Sequence, residues 1–147
     1  MSNAIFNIAV PYNEPVLDYA PESPEKKELL AALHAAKTQQ RELPAFINGK
    51  RVLDGEKVSV HPPHEHKRTL GHFYRGTKEH VHQAIDAAMA AKQSWSDTPW
   101  QERAAVFMRA ADLLAGPYRA RMNAATMLAQ SKNAFQADVD AVAEMCD

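Results

Sequence analysis

The chain has 147 residues, 46% of them apolar and 24% charged, with 17 Lys and Arg set against 18 Asp and Glu. That is the make-up of one ordinary globular domain, and a near-neutral chain without basic clusters argues against a nucleic-acid or anionic-membrane surface. The single cysteine, Cys146, excludes an internal disulfide framework and fits a reducing compartment.

Met1 to Val10 carries neither a basic n-region nor an Arg-rich amphipathic stretch, and no apolar run approaches bilayer length. The expectation is a soluble cytoplasmic protein. Pro11, Pro15 and Pro21 make residues 1–22 an extended arm lying on something else. Ser23-Pro24 then opens a helix, with Ser as N-cap, Pro at N1 and Glu25 in the first turn. Leu29, Leu30, Leu33 and Ala36 form its apolar face, and it should end between Thr38 and Arg41, ahead of Pro44.

Phe46 to Val52 is a hairpin signal, because Asn48-Gly49 supplies the two positive φ values of a type I′ turn. A second strand pair is expected at Lys57–His61 and Thr69–Arg75. Thr77 caps a helix whose apolar positions are Val81, Ala84, Ile85, Ala88 and Met89. Thr98-Pro99-Trp100-Gln101 matches a capping box, with Trp100, Ala104, Phe107, Ala111 and Leu114 as the buried stripe behind it. Gly116-Pro117 separates the next helix, which turns Tyr118, Met122, Ala125 and Ala129 inward. After a break at Gln130–Asn133, Phe135, Val139, Val142 and Cys146 make one last stripe. Asp147 follows with no Gly, Asn, Pro or basic stop, so a piece of something longer is expected.

The chemistry-bearing residues are few. His61, His64, Glu65 and His66, with His72 nearby, have the donor types of a zinc site, but no helical HExxH spacing. An exposed, proline-bearing loop between strands accounts for them, and no metal site is expected. Cys146 continues an apolar stripe beside Glu144 and Asp147, which favours a buried structural thiol over a nucleophile. Asp138, Asp140 and Glu144 read as a solvated helix face, and Arg103, Arg109, Arg119 and Arg121 as scattered surface charge. No GxGxxG or Walker-type run occurs, so no cofactor-binding and no catalytic residue is expected within the chain.

The order of these parts resembles the N-terminal region of the aldehyde dehydrogenase superfamily. Phe46-Ile47-Asn48-Gly49-Lys50 looks like that family's opening hairpin, and residues 84–114 (AIDAAMAAKQSWSDTPWQERAAVFMRAADLL) are similar to its double helix. Residues 13–30 (NEPVLDYAPESPEKKELL) and 127–144 (MLAQSKNAFQADVDAVAE) resemble the 1-pyrroline-5-carboxylate dehydrogenase branch.

The resemblance implies an α/β aldehyde-dehydrogenase-like fold in the parent. This chain would be its mainly α-helical N-terminal part with a small antiparallel hairpin region, residues 23–147 opening the NAD-binding domain. It implies NAD-dependent oxidation of L-glutamate γ-semialdehyde to L-glutamate in proline catabolism, by a homo-oligomer acting on a small molecule, with no nucleic-acid or membrane partner. In such enzymes a cysteine thiolate attacks the aldehyde, hydride passes to NAD, and a glutamate-activated water hydrolyses the thioester. Those residues and the main NAD contacts lie beyond residue 147 in the family, so the chain alone should be inactive. The helix near Phe135 resembles the one lining the aldehyde tunnel, and Asp138, standing where Glu is usual, is the one substrate contact expected here. Two alternatives stand beside this: a stand-alone helical interaction protein without activity, and a small metal-binding domain using His61, His64 and His66.

Overall fold

The computed structural model describes residues 12–147, so the first half of the expected arm, Pro11 included, lies outside the described residues. Helix α1 (Pro24–Thr38) starts where its cap dictates, the Ser23 hydroxyl accepting from the Lys26 N–H. Strands β2 (Ala45–Ile47) and β3 (Lys50–Val52) form the antiparallel hairpin, and Asn48 and Gly49 take φ values of 51° and 72°. Strands β4 (Lys57–Val60) and β5 (Gly71–Tyr74) pair antiparallel as expected.

The sheet has a third member that the sequence pattern hides. β1 (Arg41–Leu43) runs parallel to β5, giving the order β1-β5-β4 and a mixed sheet beside the hairpin. Its three residues are too few and too polar to show alternation. The close approach falls at Gly71, where a Cβ would stand 2.1 Å from the Arg41 carbonyl oxygen. Gly71→Ala should therefore part β1 from β5, costing about 1–3 kcal/mol. Urea unfolding and amide exchange at Arg41, whose N–H donates to Leu70, would read it. Gly76→Ala, where a Cβ meets nothing within 4 Å, should be near neutral.

Helix α2 (Lys78–Asp97) opens on a capping box in which Thr77 and His80 serve each other's backbone N–H. Helix α3 (Trp100–Ala115) starts one residue later than the Thr98 capping box requires. The Thr98 hydroxyl and N–H both donate to the Ser94 carbonyl, so Thr98 closes α2 and has no side-chain oxygen contact with α3. Neither helix buries a residue: Val81, Ile85, Met89, Trp100 and Phe107, all expected inside, stand exposed.

Helix α4 (Arg119–Gln130) also departs from its expected stripe. Arg119, Asn123, Ala124 and Leu128 face inward, while Tyr118, Ala125 and Ala129 are exposed. The last helix runs as α5 (Ala134–Asp138), a π-helical turn over Val139–Ala143, and α6 (Glu144–Cys146). Asn133 and Gln136 cap its start reciprocally. Ala137, Asp138, Ala141, Val142 and Ala143 are buried and Phe135 is exposed, and the π turn shifts the register of the residues that follow it. One small hydrophobic cluster joins Tyr19 from the arm, Leu29 from α1 and Ala124 from α4, ringed by Leu17, Leu33 and Met127.

Candidate functional site

The chemistry of the described residues gathers where the arm crosses α4 and α5. Asp138 is completely buried and Arg119 retains 8% exposure, so neither belongs to the solvated faces expected of them. Arg119 grips the carboxylate in a fork, Nε donating to Oδ1 at 2.9 Å and Nη2 to Oδ2 at 2.7 Å. Its remaining donors hold the arm: Nη1 reaches Glu14 Oε1 and Nη2 the Pro15 carbonyl, both at 2.6 Å.

Asp138 itself accepts from the arm, Oδ2 from the Leu17 N–H at 2.8 Å and Oδ1 from the Tyr19 hydroxyl at 2.7 Å. Asn123, one turn along α4 from Arg119, donates its amide to both Tyr19 Oη and Asp138 Oδ1 at 2.6 Å. Its own carbonyl oxygen is buried without a partner among the described residues. Tyr19 holds a left-handed φ of 52°, a backbone costing about 1–3 kcal/mol that the surrounding contacts must offset.

These contacts set the protonation states. Burial raises the Asp138 carboxyl, but the hydrogen bonds from Arg119, the Leu17 N–H, Tyr19 and Asn123 outweigh it and bring the pKa down to about 2. Burial and the neighbouring Asp138 push the Tyr19 phenol up to about 12. Asp138 is thus a fixed anion, both of whose oxygens are occupied.

The other expected residues scatter. Asp140 pairs with Lys132, and Glu144 is exposed, as a solvated face requires. His61 Nδ1 lies 2.8 Å from the Arg68 carbonyl and His64 Nδ1 2.7 Å from the Ser131 hydroxyl. His72 faces Glu42, and no three potential metal ligands converge among the described residues. Cys146 is half-buried with Sγ 3.6 Å from the Ala111 carbonyl. Burial raises its thiol pKa, aided by Glu14 and Asp147 and opposed by Arg119, so Glu14 takes the part expected of Glu144. A raised thiol is a poor nucleophile at neutral pH.

Arg119, Tyr19, Asn123 and Glu14 carry this cluster, and sequence reasoning missed all four. One signal was there: Arg119 and Asn123 stand four apart, on the same face of α4 as Met127.

A sequence profile of the aldehyde dehydrogenase family matches residues 50–147. The chain is 46% identical to a Delta-1-pyrroline-5-carboxylate dehydrogenase from Agaricus bisporus over 145 residues, 98% of this chain and 27% of that protein. It is 38% identical to the mitochondrial enzyme of that name from Mus musculus, covering 92% of this chain and 24% of the relative. The crystal structure of the Mycobacterium tuberculosis Delta-pyrroline-5-carboxylate dehydrogenase bound with NAD superposes with a TM-score of 0.95 at 48% identity, over 99% of this chain and 28% of that one. The chain therefore spans about a quarter of the length of the curated relatives it matches. No described helix is long and apolar enough to cross a membrane. By sequence and by fold, the chain belongs to the aldehyde dehydrogenase family.

Proposed function

We propose that these residues form the first part of the NAD-binding domain of a 1-pyrroline-5-carboxylate dehydrogenase, which oxidises L-glutamate γ-semialdehyde to L-glutamate in proline catabolism. The observation that carries this beyond the family is the 46–48% identity to dehydrogenases of that name, across about a quarter of their length. In keeping with a part of something longer, Val81, Ile85, Met89, Trp95, Phe107 and Met108 of α2 and α3 lack cover.

The N-termini of α2 and α5 are occupied by their own capping residues, Thr77 with His80 and Asn133 with Gln136, and no described helix follows a glycine-rich phosphate loop. On this reading NAD, the nucleophile and the base are assigned to the three quarters of the enzyme outside this match. Asp138 acts as a positioning residue, fixing arm and α5 together rather than touching the aldehyde. The complete enzyme is a cytoplasmic homo-oligomer on this reading, and a reducing cytoplasm suits the unpaired Cys146 thiol.

A chimera tests this, with these residues replacing the matching segment of the Mycobacterium tuberculosis enzyme. The chimera is expected to reduce NAD with the semialdehyde, and the chain alone to show no turnover. An inactive chimera, together with a chain that unfolds cooperatively as a monomer, would overturn the proposal and favour a stand-alone interaction protein.

A further inference from the structure

The capping boxes of α2 and α5 are built alike but close on different chemistry. At α5 the Asn133 N–H donates to Gln136 Oε1, an amide oxygen that takes up no proton near neutral pH. At α2 an imidazole stands in that place. The Thr77 N–H donates to His80 Nδ1 at 3.1 Å, and the His80 N–H donates to the Thr77 hydroxyl at 3.3 Å.

The second ring nitrogen is engaged as well. His80 Nε2 lies 3.0 Å from Asp54 Oδ1, in the loop after β3, and the imidazole keeps only 11% exposure. These two partners fix the tautomer. A backbone N–H can only donate, so Nδ1 presents its lone pair; a carboxylate can only accept, so Nε2 carries the hydrogen. A proton taken up by this ring must then go to Nδ1, where it meets the Thr77 N–H donor to donor. The bond at Thr77 is lost, while the bond to Asp54 becomes charge-assisted.

The charges around the ring are mixed. Asp54 and the adjacent Glu79 favour the imidazolium. Arg51, which lines the same hollow, Lys78 in the first turn of α2 and the positive end of that helix oppose it. Arg75 is paired with Glu56. We infer that His80 is a proton-operated latch on the start of α2. Neutral, it closes the capping box; protonated, it releases the Thr77 N–H while still holding α2 to the loop after β3.

NMR of the isotope-labelled 147-residue chain, taken from about pH 8 to about pH 5, tests this. At the upper end the ring nitrogen shifts of His80 should report a hydrogen on Nε2 alone. On acidification the protection factor of the Thr77 amide should fall about fivefold, the worth of one cap bond. Asn133 is the internal control and should keep its protection, because Gln136 holds its N–H. His80→Gln supplies the same acceptor and donor without a titrating ring, so Thr77 should stay protected throughout. Asp54→Asn keeps an acceptor for Nε2 but removes the charge, so more acid should be needed to release Thr77. A hydrogen on Nδ1 at the upper end, a Thr77 amide indifferent to pH, or equal losses at Thr77 and Asn133 would each overturn the latch. So would a pH response that survives in His80→Gln. Should that variant fail to fold, the unaltered chain still decides, through the ring tautomer and the contrast between Thr77 and Asn133.

Discussion

Arg119→Ala is expected to destabilise the chain by about 3–5 kcal/mol, a large share of the total stability of a domain this size. The reason is what it leaves behind. Asp138 has no exposure and cannot recruit water without opening the arm, so a lone carboxylate would be stranded in a low-dielectric site. Glu14 and the Pro15 carbonyl would lose their donor at the same stroke, detaching the arm from α4. The urea midpoint of purified variants measures the loss, and amide exchange at Leu17 reports whether the arm has lifted.

A second variant separates charge from packing. Arg119→Met combined with Asp138→Asn removes both charges but keeps an acceptor for Leu17 and Tyr19, and should recover part of the loss. A double variant as unstable as the single one would show that the stranded charge is not the cause. The acid limb carries a matching signature. Asp138 has its folded pKa depressed from 3.8 to about 2, so its contribution is full above pH 4 and fades as pH falls towards 2. Tyr19 works at the other end: its raised value makes its contribution full below pH 10, with loss as pH rises through 12.

How far the sequence disclosed this molecule depends on the range of the interaction. Most local signals hold, the exception being Thr98, which closes α2 instead of capping α3. Ser23-Pro24, Asn48-Gly49 and Thr77 fix their own backbones through contacts within a few residues, and α1, the hairpin and α2 begin where they should. Long-range decisions were not legible. β1 exists only because Gly71 lets its backbone close on Arg41, thirty residues away. Arg119 looked like surface because a buried cation is normally excluded, and the exception requires partners at Glu14, Pro15 and Asp138 that no periodicity connects. Asp138 was singled out by family resemblance and placed correctly on its helix, yet the residues that immobilise it come from the arm and α4. The π turn at Val139–Ala143 defeats any stripe drawn at a fixed period.

The apolar stripes of α2 and α3 fail in a different way, and a contrast in Phe107 exploits the failure. Val106, Phe107 and Met108 are successive residues with 57%, 69% and 68% exposure, and two steps of about 100° spread them over more than half of the circumference of α3. A helix apolar on that many sides belongs in an interior. In the isolated chain Phe107→Ser should change stability by no more than about 0.5 kcal/mol, because the ring has little cover to lose. Self-association should fall, since an exposed apolar face is what drives it. In the chimera with the Mycobacterium tuberculosis enzyme the same substitution should cost about 3–5 kcal/mol, the range for emptying a buried aromatic site. Denaturation of both proteins with and without the substitution gives the two differences directly. Equal, small effects in both would mean that α3 stays open in the longer protein, and the domain assignment would fall with it. A large effect confined to the chimera would mean that the stripe read from the sequence was right about burial, and that its partner surface lies in polypeptide these residues do not contain.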